Sequence, residues 1–132
     1  MVSSTATGRG KAGGFTLIEL LVVLAIIATL ASIAAPRYFN SLEKARETAL
    51  RSNLKVMREA LDQYYQDTGR WPQSLEDLVK QRYLREIPTD PVTQDARSWI
   101  VVRPADGAEG GVRDVKSGAQ GGPREGPLYE TW

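Results

Sequence analysis

The chain has 132 residues, of which 42% are apolar and 25% are charged, enough for one modest domain plus an anchoring segment. Its formal net charge of +1 gives no reason to expect nucleic acid or an acidic substrate as a partner. The sequence contains no cysteine and no histidine, which excludes thiol nucleophiles, Ser-His-Asp triads and the commonest zinc ligands.

The N-terminal segment, residues 1–14, is polar and glycine-rich and cannot bury enough apolar surface to fold alone. Residues 15–35 that follow carry a single charge, at Glu19. As a helix this run would be about 31 Å long, which matches a bilayer hydrocarbon core of about 30 Å, so we predict a transmembrane helix. The alternative is a secretory signal peptide cleaved within residues 30–34, although the run is long for a signal core.

Glu19 is an ionisable residue inside a segment of membrane-spanning length. A charged carboxylate in hydrocarbon is costly unless it is paired, so this position predicts a functional site. The structural alternative is that Glu19 lies within one turn of the interface and only reaches the lipid headgroups.

The sequence GGFTLIE at residues 13–19, followed by the apolar run, resembles the processing motif of type IV pilins and type II secretion pseudopilins. The resemblance implies that a membrane-embedded prepilin peptidase removes the leader, residues 1–14, by cutting between Gly14 and Phe15. It also implies N-methylation of Phe15 and a role of Glu19 in subunit assembly. A leader of 14 residues is longer than is usual in secretion pseudopilins, which leaves the true start of the leader open.

Cleavage would leave an ammonium group on Phe15, one helical turn from Glu19. In a staggered bundle, the carboxylate of one subunit can instead neutralise the amine of the next subunit. At about 4 Å such a pair has a gross attraction of about 4 kcal/mol at an effective dielectric constant of about 20, before desolvation is subtracted. The pairing favours one stagger over the others and so sets the register between subunits.

Beyond the apolar run, apolar residues recur at spacings of three and four, with charged residues on the other side. This pattern predicts an amphipathic continuation of the helix over residues 36–68, with Gly69 as its C-terminal cap. Pro36 removes one backbone hydrogen bond, and we predict a helix kink or local unwinding there. The simpler interpretation is that Pro36 marks the exit from the membrane.

The remaining residues, 69–132, predict a small α/β subdomain. Ser74 and Asp77 have the spacing of a capping box at the start of a short helix, and residues 87–91 are predicted to form an ordered loop. Residues 98–103, 112–116 and 128–132 are the predicted strands. The expected architecture is an α+β fold in which the long helix packs on a three-stranded antiparallel sheet. The large residues expected in its core are Trp71, Tyr83, Trp99 and Trp132.

The order of motifs after the long helix resembles the major, G-type pseudopilin of type II secretion systems. These motifs are GRWP at 69–72, IPTDP at 87–91, and DVKSG at 114–118 with the final tryptophan. G-type pseudopilins bind calcium in the loop before the last strand, but here that loop has one acid, beside an arginine. Calcium takes about six to eight oxygen ligands, so we expect no cofactor, with a degenerate calcium site as the alternative. Its candidate ligands are Asp114, Ser117 and Glu125.

The resemblance implies a structural, non-enzymatic subunit of a type II secretion pseudopilus, which drives protein export. Its expected partners are copies of itself, the prepilin peptidase, the inner-membrane assembly platform and other pseudopilins. It also implies a single-pass inner-membrane protein with residues 69–132 in the periplasm. Two alternatives stay open. One is a type IV pilin or minor pilin for adhesion, motility or DNA uptake, and the other is an anchored enzyme or binding module.

Overall fold

The computed structural model describes residues 2–4, 8, 13–105, 110–123 and 126–132. The chain divides into two compact units, of which the first ends at Tyr38 and the second comprises Phe39–Trp132. The elements in chain order are α1 (Leu17–Thr68), α2 (Leu75–Lys80), β1 (Ile100–Val102), β2 (Asp114–Lys116) and a 3-10 turn (Tyr129–Thr131).

The first unit contains the apolar part of α1. Its large apolar side chains, from Leu17 to Ile33, keep between 49% and 77% of their surface exposed. Within the described residues this is the one helix that is long and apolar enough to cross a membrane. A continuous exposed apolar surface of this kind is unfavourable in water and indicates that it is covered by lipid or by other chains.

Helix α1 continues through Pro36 without a break. Proline has no N–H to donate to the carbonyl of Ser32, four residues earlier. In the preceding turns, the hydroxyls of Thr29 and Ser32 each donate to the carbonyl four residues before them, at 2.8 Å. These bonds satisfy two polar groups inside an apolar run, and such bonds often bend helices. The kink at Pro36 stays a prediction.

In the second unit, the amphipathic part of α1 supplies one side of the core. Its buried residues recur at spacings of three and four, as the sequence predicted; they are Leu50, Leu54, Met57, Ala60 and Leu61. The helix ends at Thr68, which confirms the predicted boundary. Gly69 follows in the left-handed region, with φ of +72°, and its N–H donates to the carbonyl of Tyr65 at 2.8 Å.

Helix α2 is confirmed at the predicted place. The Asp77 carboxylate accepts the backbone N–H of Ser74 at 3.2 Å and that of Gln73 at 3.1 Å, which holds the first turn. The helix turns Leu75 and Leu78 into the core.

Among the described residues the sheet has two strands, and the prediction of a third strand at residues 128–132 was wrong. Strands β1 and β2 pair antiparallel, with Val101 opposite Val115, and both are shorter than predicted. Val115 is fully buried and faces the core.

The segment predicted as the third strand forms the 3-10 turn at Tyr129–Thr131 instead. Thr131 and Trp132 donate their N–H groups to carbonyls three residues back, at 3.0 and 3.1 Å, as the geometry of that turn requires. The Tyr129 N–H donates to the carbonyl of Gly121 at 2.9 Å.

The core includes the predicted aromatic residues to different degrees. Trp99 is buried, and its indole N–H donates to the carbonyl of Pro88 at 2.7 Å. Trp71, Tyr83 and Trp132 are partly buried and pack against the core. Tyr129, which the sequence analysis did not single out, is buried as well.

Candidate functional site

The N-terminus of α1 carries the predicted processing site. Gly14 and Phe15 lie before the first helical residue in an exposed, non-helical segment, and Phe15 keeps 93% of its surface exposed. A β-carbon built on Gly14 would have no neighbour within 4 Å, so the backbone around the predicted scissile bond is open. An exposed backbone outside regular secondary structure is the form that a protease can engage.

Directly after this segment, Thr16 and Glu19 form a reciprocal capping box. The Glu19 carboxylate accepts the backbone N–H of Thr16 at 2.8 Å, and the Thr16 hydroxyl oxygen accepts the N–H of Glu19 at 3.3 Å. Each side chain thus satisfies a backbone donor that has no partner within the helix. A carboxylate is also favoured at this end of a helix by the helix dipole.

This geometry gives the Glu19 carboxylate a partner within its own chain. The Thr16 N–H that it accepts is that of the residue next to Phe15, where cleavage would create a free amine. The Glu19 carboxylate is therefore held at the residue that follows Phe15, next to the amine on which a new positive charge would appear.

The predicted calcium ligands lie in the second unit and already have partners. Asp114 Oδ1 accepts from Arg58 Nε at 2.8 Å and from the Val115 N–H at 2.7 Å. Ser117 is fully buried; its hydroxyl donates to Asp90 Oδ2 at 2.5 Å and accepts the Ala119 N–H at 3.1 Å.

The third predicted ligand, Glu125, lies outside the described residues. Among those that are described, no group of three or more Asp, Glu, His or Cys side chains is placed to hold a metal ion. The Arg58 guanidinium already binds Asp114, and the Ser117 hydroxyl already donates one hydrogen bond and accepts another. These two contacts do not fit a calcium site.

Sequence reasoning did not single out Thr16, Arg58 and Asp90. The spacing of Thr16 and Glu19 is a capping-box signal that the sequence contains. No comparable signal marks Arg58, because its partner Asp114 is 56 residues away in the chain. Asp90 lies in the IPTDP motif at residues 87–91, but its contact with Ser117, 27 residues later, has no local sequence signature.

Comparison with known families and proteins yields a consistent set of matches. A family model described as the prokaryotic N-terminal methylation motif matches residues 9–35. The chain is 33% identical over 128 residues to type II secretion system core protein G of Escherichia coli (strain K12), covering 85% of this chain and 84% of that protein.

Two further relatives carry the same name. Identity to the protein of Klebsiella pneumoniae is 31% over 135 residues, covering 90% of this chain and 93% of the relative. Identity to the protein of Vibrio cholerae serotype O1 is 30% over 125 residues, covering 76% of this chain and 86% of the relative. No solved structure matches the chain significantly.

Proposed function

The chain belongs to the type II secretion system core protein G family, and from this premise we propose that it is the structural subunit of a type II secretion pseudopilus. The observation that carries the proposal is the identity of 33% that extends over 85% of the chain, and the methylation-motif match at residues 9–35 supports it. In this role the protein assembles with other subunits and has no catalytic activity of its own.

The N-terminal segment fits recognition by a prepilin peptidase. Cleavage between Gly14 and Phe15 would remove residues 1–14 and free the amine of Phe15 for methylation. The exposed backbone before α1 supports this step, since no described part of the chain covers it.

Assembly would use the exposed apolar face of α1 and the Glu19 carboxylate. In the single chain Glu19 accepts the Thr16 N–H at 2.8 Å. In a filament the same carboxylate would instead accept the methylated amine of Phe15 from a neighbouring copy. A charge-assisted bond to an ammonium is stronger than one to a neutral N–H, so the exchange favours assembly in the register that brings the two groups together.

The proposed orientation places the second unit in the periplasm. Arg9 and Lys11 precede the apolar helix, and basic residues next to a spanning helix stay on the cytoplasmic side. Other pseudopilins and the inner-membrane assembly platform would then be partners in addition to copies of the same chain.

The direct test is the intact mass and N-terminal sequence of the protein extracted from membranes of cells with and without a prepilin peptidase. We expect a peptidase-dependent start at Phe15 and a mass one methyl group above that of the cleaved chain. An unprocessed chain in both strains, or a start near Ala34, would refute the proposal. The latter result would identify the apolar run as an ordinary signal peptide.

The same cells test the assembly role of Glu19. We expect Glu19→Gln to be cleaved and retained in the membrane, but to give no sheared filaments, because the neutral amide cannot neutralise the neighbouring amine. The matched control is Glu59→Gln, which removes an exposed carboxylate 3.8 Å from Lys55 on the amphipathic part of the helix. Filaments from Glu19→Gln at the level of the control would contradict the role of Glu19.

A further inference from the structure

Arg58, on the amphipathic part of α1, joins three segments of the second unit. Its Nε donates to Asp114 Oδ1 at 2.8 Å, and its Nη2 donates to the carbonyl oxygens of Val115 at 3.0 Å and Trp132 at 2.8 Å. One cationic group thus gathers a carboxylate oxygen and two backbone carbonyl oxygens, and it connects helix α1, strand β2 and the final residue of the sequence.

Carboxylate and carbonyl oxygens are the ligand types that calcium selects. In this chain the positive charge at their centre is supplied by a side chain. A second cation at the same oxygens would have to displace the guanidinium or lie against it, and either arrangement is electrostatically unfavourable.

A second contact secures the loop after β2 without a cation. Asp90 and Ser117 are both fully buried and share a hydrogen bond of 2.5 Å between Oδ2 and the hydroxyl. The other Asp90 oxygen accepts the N–H groups of Val92 and Thr93 at 2.8 and 3.2 Å. One Asp90 oxygen therefore joins the loop before β1 to the loop after β2, and the other holds the loop before β1 in its own conformation.

We propose that the Arg58 guanidinium is the internal cation of this domain and that it replaces a bound calcium ion in holding β2 and the C-terminal turn to α1. Arginine suits the role because its planar fork can reach several acceptors at once, which the point charge of lysine cannot do. Arg51, two turns earlier on the helix, lies 4.4 Å from the centre of the Trp132 ring and holds the same C-terminal turn through a cation–π contact.

The proposal concerns the second unit alone, so it stands or falls independently of filament assembly. Its first test is the thermal unfolding of the full chain in detergent with about 1 mM calcium and with a chelator instead. A site with a dissociation constant of about 10 μM would raise the unfolding temperature by about 10 °C or more at that concentration. We expect equal unfolding temperatures, and a rise of that size with calcium would overturn the proposal.

Terbium luminescence gives an independent reading of the same point. Terbium ions occupy calcium sites and are sensitised by a nearby indole ring, and Trp132 lies beside the oxygens in question. We expect no saturable luminescence when terbium is added to the full chain. A saturable signal that calcium competes away would count against the internal cation.

The role of Arg58 itself is tested by three substitutions. Arg58→Met removes the guanidinium donor from the Val115 and Trp132 oxygens and one of two donors from Asp114 Oδ1. We expect the unfolding temperature to fall by about 5 °C or more in either medium. The expected fall is moderate because 38% of the Arg58 side chain is exposed and water screens its charge. Arg58→Lys should recover only part of the loss, since one ammonium cannot reach all three acceptors.

The matched control is Lys55→Met, which removes a cation one turn before Arg58 on the same helix. Lys55 pairs with Glu59 at 3.8 Å, and 77% of its side chain is exposed, so we expect a change below about 2 °C. If Arg58→Met were no less stable than Lys55→Met, or if Arg58→Lys matched the wild type, the assignment to Arg58 would be wrong.

Discussion

Gly118 follows the buried Ser117 at a point where two backbones touch. A β-carbon added at this glycine would lie 1.9 Å from the carbonyl oxygen of Ser98, which is backbone and cannot rotate away. We expect Gly118→Ala to lower the free energy of unfolding by about 1–3 kcal/mol, because one of the two loops must shift. Urea unfolding of the full chain in detergent measures this change.

Gly110 provides the control for that substitution. A β-carbon at Gly110 would meet only the Arg103 side chain, at 3.6 Å, which is ordinary contact. Gly110→Ala should therefore leave the free energy of unfolding within about 0.5 kcal/mol of the wild type. Equal stability of the two alanine variants would show that the loops at Gly118 can separate without cost.

Tyr83 fastens the chain after α2 to the end of α1, which makes it a link between elements. Its hydroxyl donates to Asp67 Oδ2 at 2.8 Å, and this hydrogen bond, followed by desolvation, raises the pKa of Tyr83 above its ordinary value. In the unfolded chain the phenol loses its proton near pH 10. The contribution to stability is thus complete below about pH 10 and is lost as the pH rises through the higher pKa of the folded state.

We therefore expect the unfolding temperature to fall as the pH rises above about 10, and to fall less steeply in Tyr83→Phe. Tyr65→Phe is the control, because the Tyr65 ring stacks on Trp71 with centroids 4.4 Å apart and phenylalanine retains that contact. Burial also raises the pKa of Tyr129, so part of the pH dependence remains in both variants. The same slope in Tyr83→Phe and the wild type would exclude this role of Tyr83.

At the level of elements, local signals predicted the helices well. The end of α1 at Thr68 and the start of α2 after Ser74 depend on a glycine and on a carboxylate three residues into the helix. Both act within one turn of the chain, so a reader of the sequence has all the information that these boundaries require.

The third strand was mispredicted because long-range contacts determine the conformation of that segment. Residues 128–132 are rich in apolar and aromatic side chains, as strands are. In the structure, however, Tyr129 bonds to Gly121 while Trp132 bonds to Arg58, 74 residues away. The aromatic rings of Tyr129 and Trp132, three residues apart, also meet edge to face at 5.2 Å, which suits a helical turn and not a strand.

The candidate functional residues also differ in whether a local sequence signal or a long-range contact marks them. The glycine–phenylalanine junction and Glu19 were predicted from a contiguous motif at residues 13–19. The cation that joins α1 to β2 was not, because Arg58 is one of several basic residues on an amphipathic helix and only the folded chain distinguishes it. Its helical neighbours Arg51 and Lys55 have the same kind of sequence environment but make different contacts.

On the scale of the whole molecule, assembly and folding are assigned to different parts of the chain. Between residues 13 and 49 no side chain is buried, whereas the described core extends from Leu50 to Tyr129. The exposed apolar run thus contributes no residue to the described core. We therefore expect the second unit to stay folded when the apolar run passes from a bilayer into a filament.

This separation predicts that residues 39–132 fold without the apolar run. We expect this fragment to be soluble without detergent and to unfold cooperatively within about 5 °C of the full chain, because it contains every buried apolar residue of the described core. The measurement is circular dichroism with thermal unfolding. A fragment of residues 58–132 is the control: it lacks Leu50, Leu54 and Met57, whose loss at about 2–5 kcal/mol each exceeds the stability of a small domain. If residues 39–132 aggregated or unfolded without a cooperative transition, the apolar part of α1 would belong to the folding unit, and extraction from the membrane would require the domain to unfold.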